Sequence, residues 1–203
     1  MKFICIGKNY AEHIKEMGSE KPSDPVIFIK PDSALIQKNQ PFIIPSFSDE
    51  IHYEMEFLVR INRLAKHIQE KFAHKYFREI TVGIDFTARD FQSELKKKGL
   101  PWEKSKAFDG SALVGEWKNK DHFDDLKSIE FHLLKNGMKV QRANLSSMLW
   151  GIDELISYSS KFFTLKIGDV LFTGTPSGVG PVKKNDFLEG FMNEQKLFSI
   201  KVK

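Results

Sequence analysis

The chain has a single cysteine, Cys5, among 203 residues. One thiol makes no intramolecular disulfide. Its place in the apolar run Phe3–Ile4–Cys5–Ile6 marks it as a core residue, so nothing argues for a secreted, disulfide-stapled protein. Long apolar runs are missing too. None approaches the roughly 20 residues of a membrane span, and the four apolar residues after Lys2 are too few for a signal peptide. The expectation is a cytoplasmic protein without a membrane partner. Charge of one sign is scarce: 31 Lys and Arg against 27 Asp and Glu leave +4, too small an excess to argue for nucleic acid. The one basic run, Lys96–Lys97–Lys98 before Gly99, reads as a solvated helix end with cations at its negative pole. No His and Cys set has metal-ligand spacing, which disfavours zinc. What the chain has in quantity is phenylalanine, 18 residues of it. That supply and the chain length suit one core-forming domain spanning residues 1–203.

The apolar pattern predicts strands at 3–6, 26–30, 51–61, 80–86, 169–173 and 198–202. It predicts helices at 8–17, 67–78, 87–98 and 149–162. Asn136–Gly137 between two apolar segments is a hairpin signal of the type that needs two positive φ angles. The charged, aperiodic stretch 117–127 is the best linker candidate. Strands outnumber helices and do not alternate with them, which favours a mixed, mostly β architecture over a doubly wound α/β fold.

Residues 51–61 alternate: Ile51, Tyr53, Met55, Phe57 and Val59 face one way, and His52, Glu54, Glu56, Leu58 and Arg60 the other. Glu54 and Glu56 are thus neighbours, as on a solvent-facing strand or around a shared cation. Asp85 lies in the apolar run Val82–Gly83–Ile84–Asp85–Phe86, where an unpaired acid is costly. Three carboxylates make a hard, all-oxygen set, suited to magnesium or manganese, with calcium a further occupant in crystals. His13 and Glu16 share one helix face, either as a surface pair or as a general base with its orienting carboxylate. The Gly- and Pro-containing loop after them makes residues 8–24 a candidate lid. Lys104 and Lys106 flank Trp102 at distances of two and four residues. Either both are solvated, or one is buried to meet a substrate carboxylate. The glycines of 173–180 (TGTPSGVG) permit close backbone approach to a ligand or simply a tight connection. No Gly–Lys–Ser/Thr follows, so this is not a nucleotide phosphate loop.

Six segments together carry a resemblance: GKNYAEHIKEM (7–17), PVIFIKPDSAL (25–35), IHYEMEFLV (51–59), GIDFTARDFQ (83–92), KKKGLPWEKSKAFDG (96–110) and GDVLFTGTPSGVGPV (168–182). In this order, over nearly the whole chain, they resemble the fumarylacetoacetate hydrolase family, in particular its small acylpyruvase and oxaloacetate decarboxylase branch. The segment 117–130 matches poorly. The resemblance implies an α+β, mostly β fold, a mixed β-roll or sandwich with a few short helices, in a homodimer. It places a metal on Glu54, Glu56 and Asp85 and a water-activating dyad on His13 and Glu16. It matches Lys106 to an active-site lysine and places Arg89, Gln92 and Thr175 on the substrate.

The expected activity is cleavage of the C3–C4 bond of a 2-oxo acid, by acylpyruvate hydrolysis or oxaloacetate decarboxylation, through a metal-stabilised pyruvate enolate. The alternative within the same chemistry is an isomerase or tautomerase of a related unsaturated oxo-diacid. A non-catalytic ligand-binding module is the reading from another class.

Overall fold

The computed structural model describes all 203 residues. Its strands in chain order are β1 (Lys2–Gly7), β2 (Val26–Pro31), β3 (Ile51–Tyr53), β4 (Met55–Ile61), β5 (Phe77–Asp85), β6 (Thr87–Ala88), β7 (Ala112–Val114), β8 (Lys118–Asn119), β9 (Glu130–Lys135), β10 (Met138–Asn144), β11 (Val170–Phe172), β12 (Gly180–Pro181), β13 (Phe187–Met192) and β14 (Gln195–Lys201). The α-helices are α1 (Ala11–Glu16), α2 (Glu70–Ala73), α3 (Arg89–Lys97), α4 (Glu103–Lys106) and α5 (Ile152–Phe162). A seven-stranded sheet runs β2-β1-β11-β4-β5-β7, with β8 also on β5. A second sheet runs β10-β9-β13-β14, and a small third runs β12-β3-β6. The fold is therefore α+β and mostly β, as the pattern of short strands predicts. No helix is long and apolar enough to cross a membrane.

β4 lies between β11 and β5 and is buried on both faces. Met55, Phe57 and Val59 enter the main core, and Leu58 joins a smaller cluster with Phe3, Cys5 and Phe172 on the other side. The alternation at 51–61 therefore separates two interiors rather than an interior from solvent. The single strand expected there is broken at Glu54. Met55 N–H donates to the side chain of Gln141 at 2.9 Å, and Glu54 O accepts Asp85 N–H at 2.8 Å. The chain changes sheets at that residue, leaving β3 in the small sheet and β4 in the large one.

The helix expected at 67–78 shrinks to α2. His67 takes φ +51, and Phe77, Ile80, Val82 and Ile84 point into the main core as part of β5. The helix expected at 8–17 shrinks to α1, because Lys8 takes φ +60 and the buried Asn9 side chain is tied elsewhere. Asn9 donates to Trp150 O and Thr173 O, at 3.1 and 2.8 Å, and accepts Trp150 N–H at 2.8 Å. The last contact also delays the start of α5 to Ile152. Residues 117–127 are not a linker. They hold β8 and a 3-10 turn capped by Asn119, and Phe123 packs on the main core; Asp125 caps the 3-10 turn at Leu126–Ser128 that follows. The hairpin signal holds: Asn136 and Gly137, at φ +52 and +79, join β9 to β10.

At Gly83 the large sheet leaves no room for a side chain. A Cβ added there would sit 2.1 Å from Leu113 O on β7 and 2.9 Å from a Leu58 methyl. Gly83→Ala is expected to lower unfolding stability by at least about 2 kcal/mol, the scale of overpacking against a backbone atom. An unchanged urea midpoint would contradict this account of the sheet.

Candidate active site

The pairing of β4 with β5 brings the acids together. Met55 opposes Ile84 and Glu56 opposes Gly83, so Glu54, Glu56 and Asp85 cluster at one end of the two strands. One oxygen from each carboxylate lies within 4.8 Å of the others. The three residues are 5%, 1% and 0% exposed. Buried carboxylates are costly unless matched by opposite charge and hydrogen bonds, and three cations converge on them.

Lys106, delivered by α4, places Nζ 2.7 Å from Glu54 Oε2, 2.7 Å from Asp85 Oδ2 and 2.6 Å from Thr87 Oγ1. Lys30, fully buried on β2, sits 2.6 Å from Asp85 Oδ1 and donates to Ser111 O and Oγ at 2.9 Å. Arg89, the first residue of α3, pairs with the other oxygen of Glu54 and donates to Gln92. Glu56 has no cation of its own. It accepts Gly174 N–H at 2.6 Å.

The electrostatics separate two carboxylates that are only two residues apart. Burial works to raise Glu54, but the Lys106 ammonium and Arg89 guanidinium outweigh it and hold the group well below the usual carboxylate range. Burial, then Asp85 and Glu54, push Glu56 well above that range. For Lys106, Asp85 and Glu54 outweigh burial and raise its proton affinity.

One cavity is lined by His13, Glu54, Glu56, Asp85, Arg89, Gln92, Lys106 and Thr175, eight of the nine site residues singled out in the sequence. The ninth, Glu16, stands behind His13, with Oε2 3.0 Å from His13 Nδ1. That contact leaves Nε2 as the ring nitrogen available to the cavity. Glu16 Oε1 also accepts Gly178 N–H at 2.9 Å, which ties α1 to the 173–180 loop. Thr175 Oγ1 donates to Met55 O at 2.9 Å and accepts from Gln141 Nε2 at 2.9 Å. Tyr53 does not line the cavity, in keeping with the strand reading. Of the two lysines beside Trp102, Lys106 is the buried one and Lys104 is exposed.

Several site residues escaped the sequence reading. Lys30 had a signal, since a lysine inside the apolar strand VIFIK needs a buried partner. Asn9 and Gln141 had none, because each acts through contacts 34 or more residues away in the chain. Lys8, Lys96 and Trp102 also line the cavity, though Lys96 looked like part of a solvated helix end.

The residues fit a hard divalent cation. The converging donors are three carboxylates and no nitrogen or sulfur. After burial, the upward push on Glu56 comes from the like charges of Asp85 and Glu54, which a shared cation would offset.

Comparison with known proteins agrees with this frame. The family model for the fumarylacetoacetate (FAA) hydrolase C-terminal region matches residues 2–199. Oxaloacetate tautomerase YcgM of Escherichia coli (strain K12) is 45% identical over 188 residues, covering 92% of this chain and 86% of that one. The Homo sapiens mitochondrial oxaloacetate tautomerase FAHD1 is 39% identical over 199 residues, covering 98% and 90%. The crystal structure of fumarylpyruvate hydrolase from Pseudomonas aeruginosa in complex with Mn2+ and pyruvate superposes with a TM-score of 0.93. It is 33% identical, and the match covers 100% of this chain and 89% of that one. The chain belongs to the fumarylacetoacetate hydrolase family.

Lys30→Met should leave Asp85 buried beside an apolar chain. Breaking a buried pair in this way typically costs about 3–5 kcal/mol. Adding Asp85→Asn should recover part of the loss, because the carboxylate left with Lys106 alone is then gone. Urea unfolding of the two variants measures both steps, and a single variant as stable as the parent would contradict the pairing.

Proposed function

We propose that this member of the family is a divalent-metal-dependent enzyme that enolises a 2-oxo acid of the oxaloacetate type, interconverting its keto and enol forms. The observation that carries the reading is the His13–Glu16 pair facing the Glu54–Glu56–Asp85 cluster across one cavity. The two oxaloacetate tautomerases similar to this chain support the substrate class.

Glu54, Glu56 and Asp85 would hold a magnesium or manganese ion, which would supply Lewis-acid stabilisation of the negative charge of an enolate. Glu16 accepts the hydrogen bond from His13 Nδ1–H, so Nε2 is free to take the proton from C3 and deliver it to the 2-oxo oxygen, and in the reverse direction to carry the enol proton back to C3. Lys106 stays charged beside two carboxylates and offsets negative charge developing on the substrate. Arg89, Gln92 and Thr175 line the same cavity and orient the substrate carboxylate. Residues 8–24 act as a lid, and the contact from Glu16 to Gly178 N–H completes the base as the lid seats.

Cleavage at C3–C4, the leading expectation from the sequence, becomes the second reading. The similar fumarylpyruvate hydrolase with Mn2+ and pyruvate favours it. In that reaction His13 would deliver water to the 4-carbonyl instead of moving the C3 proton.

The test follows decay of the enol form of oxaloacetate by absorbance, with magnesium, manganese or chelator, and analyses products by mass spectrometry. Metal-dependent decay with no change of mass supports tautomerisation. Release of carbon dioxide or a second acid supports cleavage. Removal of the base in His13→Ala should lower the enzymatic rate by about two to four orders of magnitude. Calorimetry supplies a separate check on the metal: Asp85→Asn should bind magnesium and manganese more weakly, and unchanged affinity would refute the ligand assignment.

A further inference from the structure

Two lysines of the cavity have no part in the chemistry above. Helix α3 carries Arg89, Gln92 and Lys96 at spacings of three and four, which places them along one face, and all three line the cavity. Lys8 reaches it from the root of α1, half-buried and held at φ +60, a region that residues other than glycine seldom occupy. Lys106 commits its three donors to Glu54, Asp85 and Thr87, and Arg89 already pairs with Glu54 and Gln92. Lys8 and Lys96 pair with no carboxylate of the chain within 4.0 Å.

The floor beneath Lys96 is apolar. Its ammonium lies 5.1 Å from the centre of the Trp102 ring, which also lines the cavity and packs on Phe28 at 6.1 Å. Lys96 is exposed as a whole residue. Even so, burial of the ammonium, then repulsion from Arg89 and Lys106, push Lys96 down to about 8. An anion beside it would relieve that repulsion and accept a charge-assisted hydrogen bond.

We propose that Lys96 and Lys8 receive a second carboxylate of the ligand, so that the cavity selects dianionic 2-oxo acids over monoanions of the same length, with Lys96 setting the preference. This rests on the reading that a 2-oxo acid occupies the carboxylate cluster. It adds what that cluster does not itself determine: the charge at the far end of the substrate.

The test is calorimetric binding, in magnesium, of 2-oxoglutarate and of 2-oxopentanoate, which share a chain length and differ by the terminal carboxylate. Oxalate, short enough to be confined to the carboxylate cluster, is the control. Wild type should prefer the dianion, and Lys96→Gln should reduce that preference by about tenfold or more, the scale of one charge-assisted hydrogen bond. Lys96→Arg should restore most of it, and Lys8→Gln should reduce it less than Lys96→Gln. A wild-type preference under about twofold, or one that Lys96→Gln leaves intact while oxalate binds, overturns the subsite alone. Wild-type protein that binds no oxalate overturns the 2-oxo acid reading with it.

Discussion

Burying three carboxylates side by side is electrostatically unfavourable, and much of the surrounding structure offsets it. Glu54, Glu56 and Asp85 come from two neighbouring strands, but the groups that hold them come from across the chain. Lys30 arrives on β2, Lys106 on α4, Arg89 on α3, and the Gly174 amide from the loop after β11. Each is fixed in turn. Ser111 holds Lys30, Gln92 holds Arg89, and Asn9 joins the root of α1 to Thr173. Such an arrangement is specific, because removing any one partner leaves a buried carboxylate with less compensation. The cations are unequally shared. Glu54 has two and Asp85 has two, whereas Glu56 has only an amide, and the carboxyl groups of Glu54 and Glu56 are driven in opposite directions.

The same loop serves both halves of the site. Gly174 touches Glu56, Thr175 spans Met55 O and Gln141, and Gly178 meets Glu16. A segment that contacts the acid cluster and the histidine pair couples their positions. The Glu16 contact with Gly178 N–H therefore ties α1 to the same loop whose Gly174 amide holds Glu56.

Much of this was legible in the sequence, for identifiable reasons. The spacing of Glu54 and Glu56 on a strand, and an acid inside an apolar run at Asp85, are local signals, and the fold turns them toward one another. His13 and Glu16 were legible from helical spacing, although their helix is shorter than the pattern suggests. Lys106 could not be separated from Lys104 by local sequence, since which of them is buried depends on where α4 docks. The break at Glu54 was invisible, because it comes from a change of sheet and a hydrogen bond to Gln141, far along the chain. The pattern at 67–78 misled because helix α2 and the start of β5 together mimic one longer amphipathic helix. Residues 117–127 looked like a linker because side-chain caps at Asn119 and Asp125, not apolar periodicity, organise them.

The central claim is that the acid cluster is a cation site from which a 2-oxo acid is handled. A crystal structure grown with manganese and oxalate tests it most directly, using the anomalous signal of the metal. The account predicts one strong peak roughly 2.0–2.6 Å from oxygens of Glu54, Glu56 and Asp85, with oxalate on its open side toward His13. A peak elsewhere, or Lys106 still bridging Glu54 and Asp85 with no ion among the carboxylates, would contradict it.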